Sequence, residues 1–414
     1  MFRPTTAFPT IPIPKITRMT SIMDLLTSPI FWLGWSVFLF WVIGAAIPIW
    51  NLSQRHINHR LKDISVDSVD EATPPGVTVI FTARNEATKV EQTLESLLDC
   101  RHPALKIIAV DDRSDDETGE ILDRIAAQQE NIDVLHIDEL PCGWLGKCNA
   151  LHQAAKQATS EYILFTDADV RFSSTIIART QLWMQQHQVD HLSIYPGMPG
   201  GEYWERALLT YFVFLFVCGA PPRRVESHIP DVYVGVGAFN LIRTVVYREF
   251  GGHQRIRLDI LDDVKIGKLT KAHGHRQAVL LAPDDVKVRW QESAWGIITG
   301  LEKNAFASMQ YSLAKLSFLT LLFGLLYVLP IGLVITYPDL YTSGHAAAVV
   351  TYHLCYARLA IIAGTGLNVL PAMVPSAIAL VWAFWRSACI TLKQRGVRWR
   401  ETFYPLAELR RNVY

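Results

Sequence analysis

The chain has 414 residues, of which 50% are hydrophobic and 19% charged, with Lys+Arg and Asp+Glu equal at 39 each. A zero formal balance gives no electrostatic case for nucleic-acid binding, and the length leaves room for one sizeable domain and more. Six cysteines without a C-x-x-C pair or metal-ligand spacing argue against a zinc site and fit reduced thiols in a cytoplasmic protein.

In chain order, residues 1–29 carry five prolines and several threonines and read as disordered. Ile30–Trp50 is 21 residues without a charge, and about 20 suffice to cross a bilayer. Its length and distance from the amino end fit a retained anchor, not a cleaved signal peptide. A polar linker, 51–75, leads to a region of alternating strands and helices at 76–311. Three short apolar runs there have the length of buried strands, and each ends in polar residues. Val77–Thr82 ends at Ala83-Arg84-Asn85-Glu86, Lys106–Val110 at Asp111-Asp112-Arg113-Ser114, and Tyr162–Thr166 at Asp167-Ala168-Asp169. Val90, Leu94, Leu97 and Leu98 make the apolar face of a first helix. Ile121, Leu122 and Ile125 make that of a second, and Ala150, Leu151, Ala154, Ala155 and Ala158 that of a third. Asp133–Ile137 is a further strand. Strands alternating with helices predict an α/β fold with a mostly parallel, doubly covered sheet.

In such a sheet the ligand lies beyond the carboxyl ends of the strands, so the three polar ends describe one crevice. Carboxylates gathered there repel one another unless a cation lies among them, and a hard divalent ion (Mg2+ or Mn2+) suits oxygen donors. The loop Pro141-Cys142-Gly143-Trp144-Leu145-Gly146-Lys147 runs into the third helix. Glycines, a helix amino end and one lysine suit an anion such as a diphosphate, although the Walker A spacing is missing. Alone, that loop is also what an ordinary turn with a solvated lysine looks like, and Asp167-x-Asp169 alone is commonplace. The set of acids at three strand ends is what gives them weight.

Ala207–Ala220 is apolar but only 14 residues long, which suits an interfacial segment or a buried core helix. Trp295–Leu316, with Lys303 and Lys315, reads as another interfacial helix. Leu316–Thr336 is a second spanning stretch within a membrane region at 312–390. Residues 346–390 are apolar but contain His353 and Arg358. A charge at mid-membrane is costly, so Arg358 is expected at the interface opposite the catalytic region, with the return crossing at about Leu359–Trp385. A third crossing at 346–366 is the alternative. The tail, 391–414, carries Lys393, Arg395, Arg398, Arg400, Arg410 and Arg411, which the positive-inside rule places in the cytoplasm with the catalytic region.

Several segments together resemble the membrane-bound family 2 glycosyltransferases across about residues 76–311. They are Thr82-Ala83-Arg84-Asn85-Glu86, Val110-Asp111-Asp112-Arg113-Ser114-Asp115-Asp116, Gly143-Trp144-Leu145-Gly146-Lys147 and Phe165-Thr166-Asp167-Ala168-Asp169-Val170. To these are added Gly235-Val236-Gly237-Ala238-Phe239, Tyr247-Arg248-Glu249-Phe250-Gly251-Gly252-His253 and Leu261-Asp262-Asp263-Val264. The branch most resembled is that of the carotenoid and hopanoid glycosyltransferases, then ceramide glucosyltransferase. The tail Gly396-Val397-Arg398-Trp399-Arg400-Glu401-Thr402-Phe403-Tyr404 is similar to that lipid-modifying branch as well.

The resemblance implies a GT-A fold that transfers a sugar from a UDP- or GDP-sugar, with inversion, to a lipid hydroxyl at the membrane. A carotenoid or other polyisoprenoid is the expected acceptor, then a sphingolipid or glycerolipid. It places donor contacts at Ala83, Arg84, Asn85, Glu86 and Lys147, the nucleotide base on Asp112, and the ribose and metal on Asp167 and Asp169. Asp263 takes the place of the general base. Asp262 stands where the family usually has Glu, leaving open which acid is the base. The Q-x-x-R-W motif of processive members is absent before Arg289-Trp290, which disfavours polymerisation. A membrane-anchored nucleotidyltransferase and a non-catalytic scaffold are the alternatives from other classes.

Overall fold

The computed structural model describes residues 22–50, 52, 61, 64 and 75–411. Most of the segments expected to be a disordered terminus and a linker lie outside these residues, although a short helix, Ile22–Thr27, falls within the former. Strands β1 (Val77–Ala83), β2 (Leu105–Asp112), β3 (Ile132–Ile137) and β4 (Tyr162–Asp167) run parallel in the order β3-β2-β1-β4. The sheet continues through β7 (Asn240–Arg243), β6 (His191–Gly197), β8 (Gln277–Val288) and β5 (Val170–Phe172). Here β7 is antiparallel to both neighbours, β8 is parallel to β6, and β5 is antiparallel to β8. The mostly parallel α/β sheet is as the sequence predicts.

The apolar runs are continuous because both faces of the sheet are covered. Val77, Val79 and Phe81 of β1 pack with Val90, Leu94 and Leu97 of helix Val90–Leu98 and Leu122 of helix Thr118–Ala126. Ile80 points the other way, into a cluster with Ile108, Ile163 and the alanine-rich face of helix Gly146–Gln157. Register fixes the site. Ala83 is paired with Asp111, and Thr82 with Asp167, so the three polar ends lie level and adjacent.

Among the described residues four helices are long and apolar enough to cross a membrane: Pro29–Trp50, Leu313–Thr336, Leu340–Ile362 and Leu367–Gln394. The first and third lie side by side and run the same way. At one end His345 sits so close to Gly34 that a side chain there would come within 2.8 Å of it, the small residue permitting the approach. At the other end Arg358 donates to the Ile49 carbonyl at 3.2 Å and lies 5.2 Å from the Trp50 ring. Midway, Trp41 donates to the Leu326 carbonyl at 3.2 Å and meets Phe214, Tyr327 and Tyr352.

Three expectations about this region are corrected. The chain does not continue as one helix through Leu359–Trp385. It turns at 363–366, where Gly364 and Gly366 take φ of 70° and 83°, a conformation that costs glycine nothing. Arg358 therefore lies at the Trp50 end, from which the chain enters the α/β domain, not at the far end. Trp295–Leu316 is two helices, Ala294–Ser308 and the start of Leu313–Thr336, separated where Gln310 and Tyr311 both take φ of 55°.

Helix Tyr203–Gly219 starts before the expected Ala207 because Glu202 and Glu205 form a capping box. Its Ala207, Leu209, Tyr211, Phe214 and Val217 are buried in one cluster with the long apolar helices. Leu367–Gln394 lies along Ala294–Ser308, joined by Arg386–Glu302 at 2.7 Å and by the Phe306 amide donating to Ser387 Oγ at 3.0 Å. A hairpin, β9 (Gly396–Trp399) and β10 (Thr402–Pro405), then folds back onto the crevice, and helix Leu406–Arg411 closes the described chain.

Candidate active site

Each strand end delivers its polar residues to one place. Beyond β1, Asn85 adopts φ of 54°, which asparagine tolerates. Its amide donates to Ser114 Oγ at 3.1 Å, and its side-chain oxygen accepts from the Asp115 amide at 2.8 Å. The loops after β1 and β2 are thereby fastened together. Ala83 is buried at the strand terminus. Arg84 pairs with Glu401 at 2.9 Å and Glu86 with Arg400 at 2.8 Å, so both reach the carboxyl-terminal hairpin. Beyond β2, buried Asp112 is clasped by Arg113 through two bonds of 2.8 and 3.0 Å.

Gly146 opens the helix opposite that pair. A side chain there would come within 2.5 Å of the Arg113 guanidinium and 2.6 Å of the Asp112 carboxylate. Its amide donates to the Tyr404 hydroxyl at 3.3 Å. Lys147, in the first turn, reaches across to Asp167 at 2.8 Å and Asp262 at 3.6 Å. Burial alone would lower its pKa, but Asp167, Asp262 and Asp263 together hold it well above the ordinary lysine value.

Asp167 ends β4 and Asp169 stands in the turn before β5. Burial, then the neighbouring Asp167 charge, pushes Asp169 up to about 6. Two acids in that relation favour a cation between or beside them. Among the described residues no three His, Cys, Asp or Glu side chains converge as a ready-made metal cage. One or two carboxylates completed by substrate phosphates and water is, however, how Mg2+ is commonly held. Asp167 and Asp169 fit that role.

Asp262 and Asp263 lie in the first turn of helix Asp262–Ala272, where the helix dipole favours negative charge. Their surroundings differ. Asp262 faces Lys147 and, at 3.6 Å, His253, whose other ring nitrogen is 2.8 Å from the Tyr247 hydroxyl. Burial would raise Asp262, but Lys147 and then His253 outweigh it and keep the carboxyl below its usual value. Asp263 accepts from the Val264 amide at 2.8 Å. Burial, and after it the charge of Asp262, pushes Asp263 well above the usual carboxylate range. One acid is thus a fixed anion in a charge network and the other is poised to take a proton.

All the residues singled out from the sequence meet in this crevice. Several partners were given no site role from the sequence: His253, Arg400, Glu401 and Tyr404, although they lie in quoted segments, and Lys303. Gly235 and Gly237 lie within the quoted motif, and their task is steric. A side chain on Gly235 would run into the Asp263 backbone, and one on Gly237 would come within 2.5 Å of the Asp167 carboxylate.

Residues 78–241 match the family described as Glycosyl transferase family 2, a segment that contains β1 to β6 and the start of β7. Over 141 residues the chain is 31% identical to the poly-beta-1,6-N-acetyl-D-glucosamine synthase of Staphylococcus aureus (strain COL), covering 34% of this chain and 32% of that protein. The Staphylococcus epidermidis protein of the same name is 32% identical over 131 residues, covering 32% and 29%. The chain thus spans about a third of the length of the curated relatives it matches. Among solved structures it is similar to a mannosyltransferase from Pyrobaculum calidifontis in complex with GDP-Man and Mn2+. The TM-score is 0.47 at 16% identity, covering 87% of this chain and 98% of that one. For S. aureus TarS 1–349 the corresponding values are 0.37, 14%, 79% and 95%.

Proposed function

We propose that this chain is a membrane-anchored, inverting glycosyltransferase that moves a single sugar from a UDP- or GDP-sugar to the hydroxyl of a membrane lipid. The observation that carries it is the unequal pair Asp262–Asp263 beside Lys147, Asp167 and Asp169 at the strand ends of a family 2 segment. A bound divalent ion at Asp169, with Asp167 beside it, would neutralise charge on the departing diphosphate as a Lewis acid. Lys147 adds a fixed positive charge on the same side. Asp112 and the Arg84–Glu86 loop hold the nucleotide. Asp263 accepts the acceptor's proton late in the displacement, when the oxygen is already bonding to carbon, and its raised affinity for a proton suits that task. One base and one leaving group imply a single displacement.

The lipid acceptor is supported by the walls of the site. Helices Tyr203–Gly219 and Ala294–Ser308 share an apolar cluster with the membrane helices, and Trp204, Trp295 and Trp382 remain exposed at their edges, as aromatic residues do at a bilayer surface. A carotenoid or other polyisoprenoid alcohol is favoured, then a sphingolipid or glycerolipid. The curated relatives are polysaccharide synthases by name, so repeated transfer is the second possibility, against which stands the missing Q-x-x-R-W motif. Lipid extraction from cells with and without the gene, followed by mass spectrometry, decides between them. A lipid larger by one hexose is expected, and a water-soluble polymer lost with the gene would overturn it.

The same proposal includes topology. The hairpin touches the crevice, so the tail and the catalytic region share a side, the cytoplasmic one by charge. Leu313–Thr336 and Leu340–Ile362 make the two crossings, and Leu367–Gln394 lies along the interface with Ala294–Ser308. In a protein whose native cysteines are replaced, Asp339→Cys should react with an impermeant thiol reagent from outside and Gly364→Cys from the cytoplasm. Gly364→Cys reacting from outside would mean that Leu340–Ile362 does not cross and that Leu367–Gln394 makes the return.

A further inference from the structure

The carboxyl-terminal hairpin is fastened to the crevice at three points: Arg400 to Glu86 at 2.8 Å, Glu401 to Arg84 at 2.9 Å, and the Tyr404 hydroxyl to the Gly146 amide at 3.3 Å. Arg400 forms the bend with φ of 54°, a strained choice for arginine that these contacts hold in place. Behind the bend, Lys303 of helix Ala294–Ser308 projects its ammonium 4.0 Å from the centroid of the Trp399 ring. Among the described residues no carboxylate lies within ion-pair distance of it. A lysine held by a ring face retains its charge and an open side toward whatever lies in front. Arg400, next to Trp399, pairs with Glu86 of the crevice loop, so this bend lies against the crevice. After burial, the groups that act most on Lys303 are Lys147, Asp167, Arg400 and Asp262 in that order, and its pKa falls to about 8. A half-buried cation near two others is unfavourable without anions, and the nearest carboxylates, Asp167 and Asp262, are already engaged by Lys147. Nothing in the chemistry assigned to Lys147 and the acids uses Lys303, Trp399 or Arg400.

We propose that Lys303 and Arg400 complete the donor site as diphosphate-binding residues, meeting from the hairpin side the phosphate that Lys147 meets from the sheet side, with Trp399 as the positioning residue for Lys303. This rests on the donor being a nucleoside diphosphate sugar. The hairpin becomes a strap across the donor: the chain's last strands close a site its first strands open. It also links the membrane region to the donor, because Lys303 and the strap hang from helices packed against the apolar collar.

The test uses the full-length protein in lipid nanodiscs with Mg2+ and measures binding of UDP, GDP and the matching nucleoside monophosphates by calorimetry. Lys303→Gln, which loses the charge and keeps a polar, slightly shorter side chain, should weaken nucleoside diphosphate binding about tenfold or more and leave monophosphate binding within about twofold. Trp399→Ala should give a smaller loss in the same direction, and Lys303→Arg should restore most of the affinity. Equal affinity of wild type and Lys303→Gln for the diphosphate would overturn the clamp while leaving the glycosyltransferase assignment intact. Loss of monophosphate and diphosphate binding alike would overturn it too, since the lysine would then act on the fold or the base. A wild-type protein that binds neither UDP nor GDP would overturn the donor assignment and the clamp together.

Discussion

The crevice and the apolar collar are built on opposite plans. In the crevice, most polar residues have one or two identified partners within 4 Å, and small geometric details decide their state: Asp262 and Asp263 are neighbours in sequence yet differ because only Asp262 lies within ion-pair distance of Lys147 and His253. In the collar, Trp41, Phe214, Tyr327, Tyr352 and their neighbours share many weak contacts, none of which decides the outcome. A site of the first kind should fail abruptly and specifically when one atom is changed. A region of the second kind should lose stability by degrees.

Substitutions can break or sharpen that contrast. The largest effect is expected for Asp169→Ala, which should abolish transfer and metal-dependent donor binding without unfolding the protein. Activity assays with and without excess chelator check it, and full activity in chelator would rule out the metal role. Next, Asp263→Asn should lower turnover by about 10²-fold or more, the usual scale for a lost general base, with donor binding near normal. If Asp262→Asn is the dead variant and Asp263→Asn is active, the two roles are exchanged.

The wild-type pH profile follows from the same pair. The proposed base, Asp263, must be ionised to act, and its proton affinity is raised by burial and by Asp262. Turnover should therefore be full on the alkaline side and fall as pH drops through a midpoint clearly above the ordinary carboxylate value of about 4. In Asp262→Asn that midpoint should move down, since a neighbouring negative charge has gone.

Smaller again is Gly237→Ala, where the new methyl group meets the Asp167 carboxylate. It should weaken donor binding about tenfold while costing about 1–3 kcal/mol of stability, the usual range for overpacking. Smallest is Phe323→Ala in the collar, where a partly buried ring loses its stacking on Tyr327. Activity in nanodiscs should stay within about twofold, and a tenfold loss would mean the collar is specified as sharply as the crevice.

The two plans also explain what was legible in the sequence. Buried parallel strands must be apolar on both faces, so β1, β2 and β4 announce themselves, and the acids at their ends mark the crevice. The difference between the surroundings of Asp262 and Asp263 was not legible, because it depends on where His253 and Lys147 come to rest in space. In the membrane region the pattern fails for a different reason. Residues 346–390 are apolar but for His353, Arg358 and Arg386, so composition does not reveal where the chain turns, and two glycines with positive φ decide it. The strap was hidden as well. Glu86 with Arg400 and Arg84 with Glu401 are pairs more than 300 residues apart, and no local periodicity announces such contacts.

The most direct test is transfer itself. Purified protein in nanodiscs made from a polyisoprenoid-containing lipid extract is given UDP- and GDP-sugars labelled in the sugar, with Mg2+ or Mn2+. The label should pass to the organic phase as a lipid carrying one sugar, with nucleoside diphosphate released in equal amount and no transfer by Asp263→Asn. Label appearing in a water-soluble polymer, or pyrophosphate in place of nucleoside diphosphate, would contradict the assignment of a lipid glycosyltransferase.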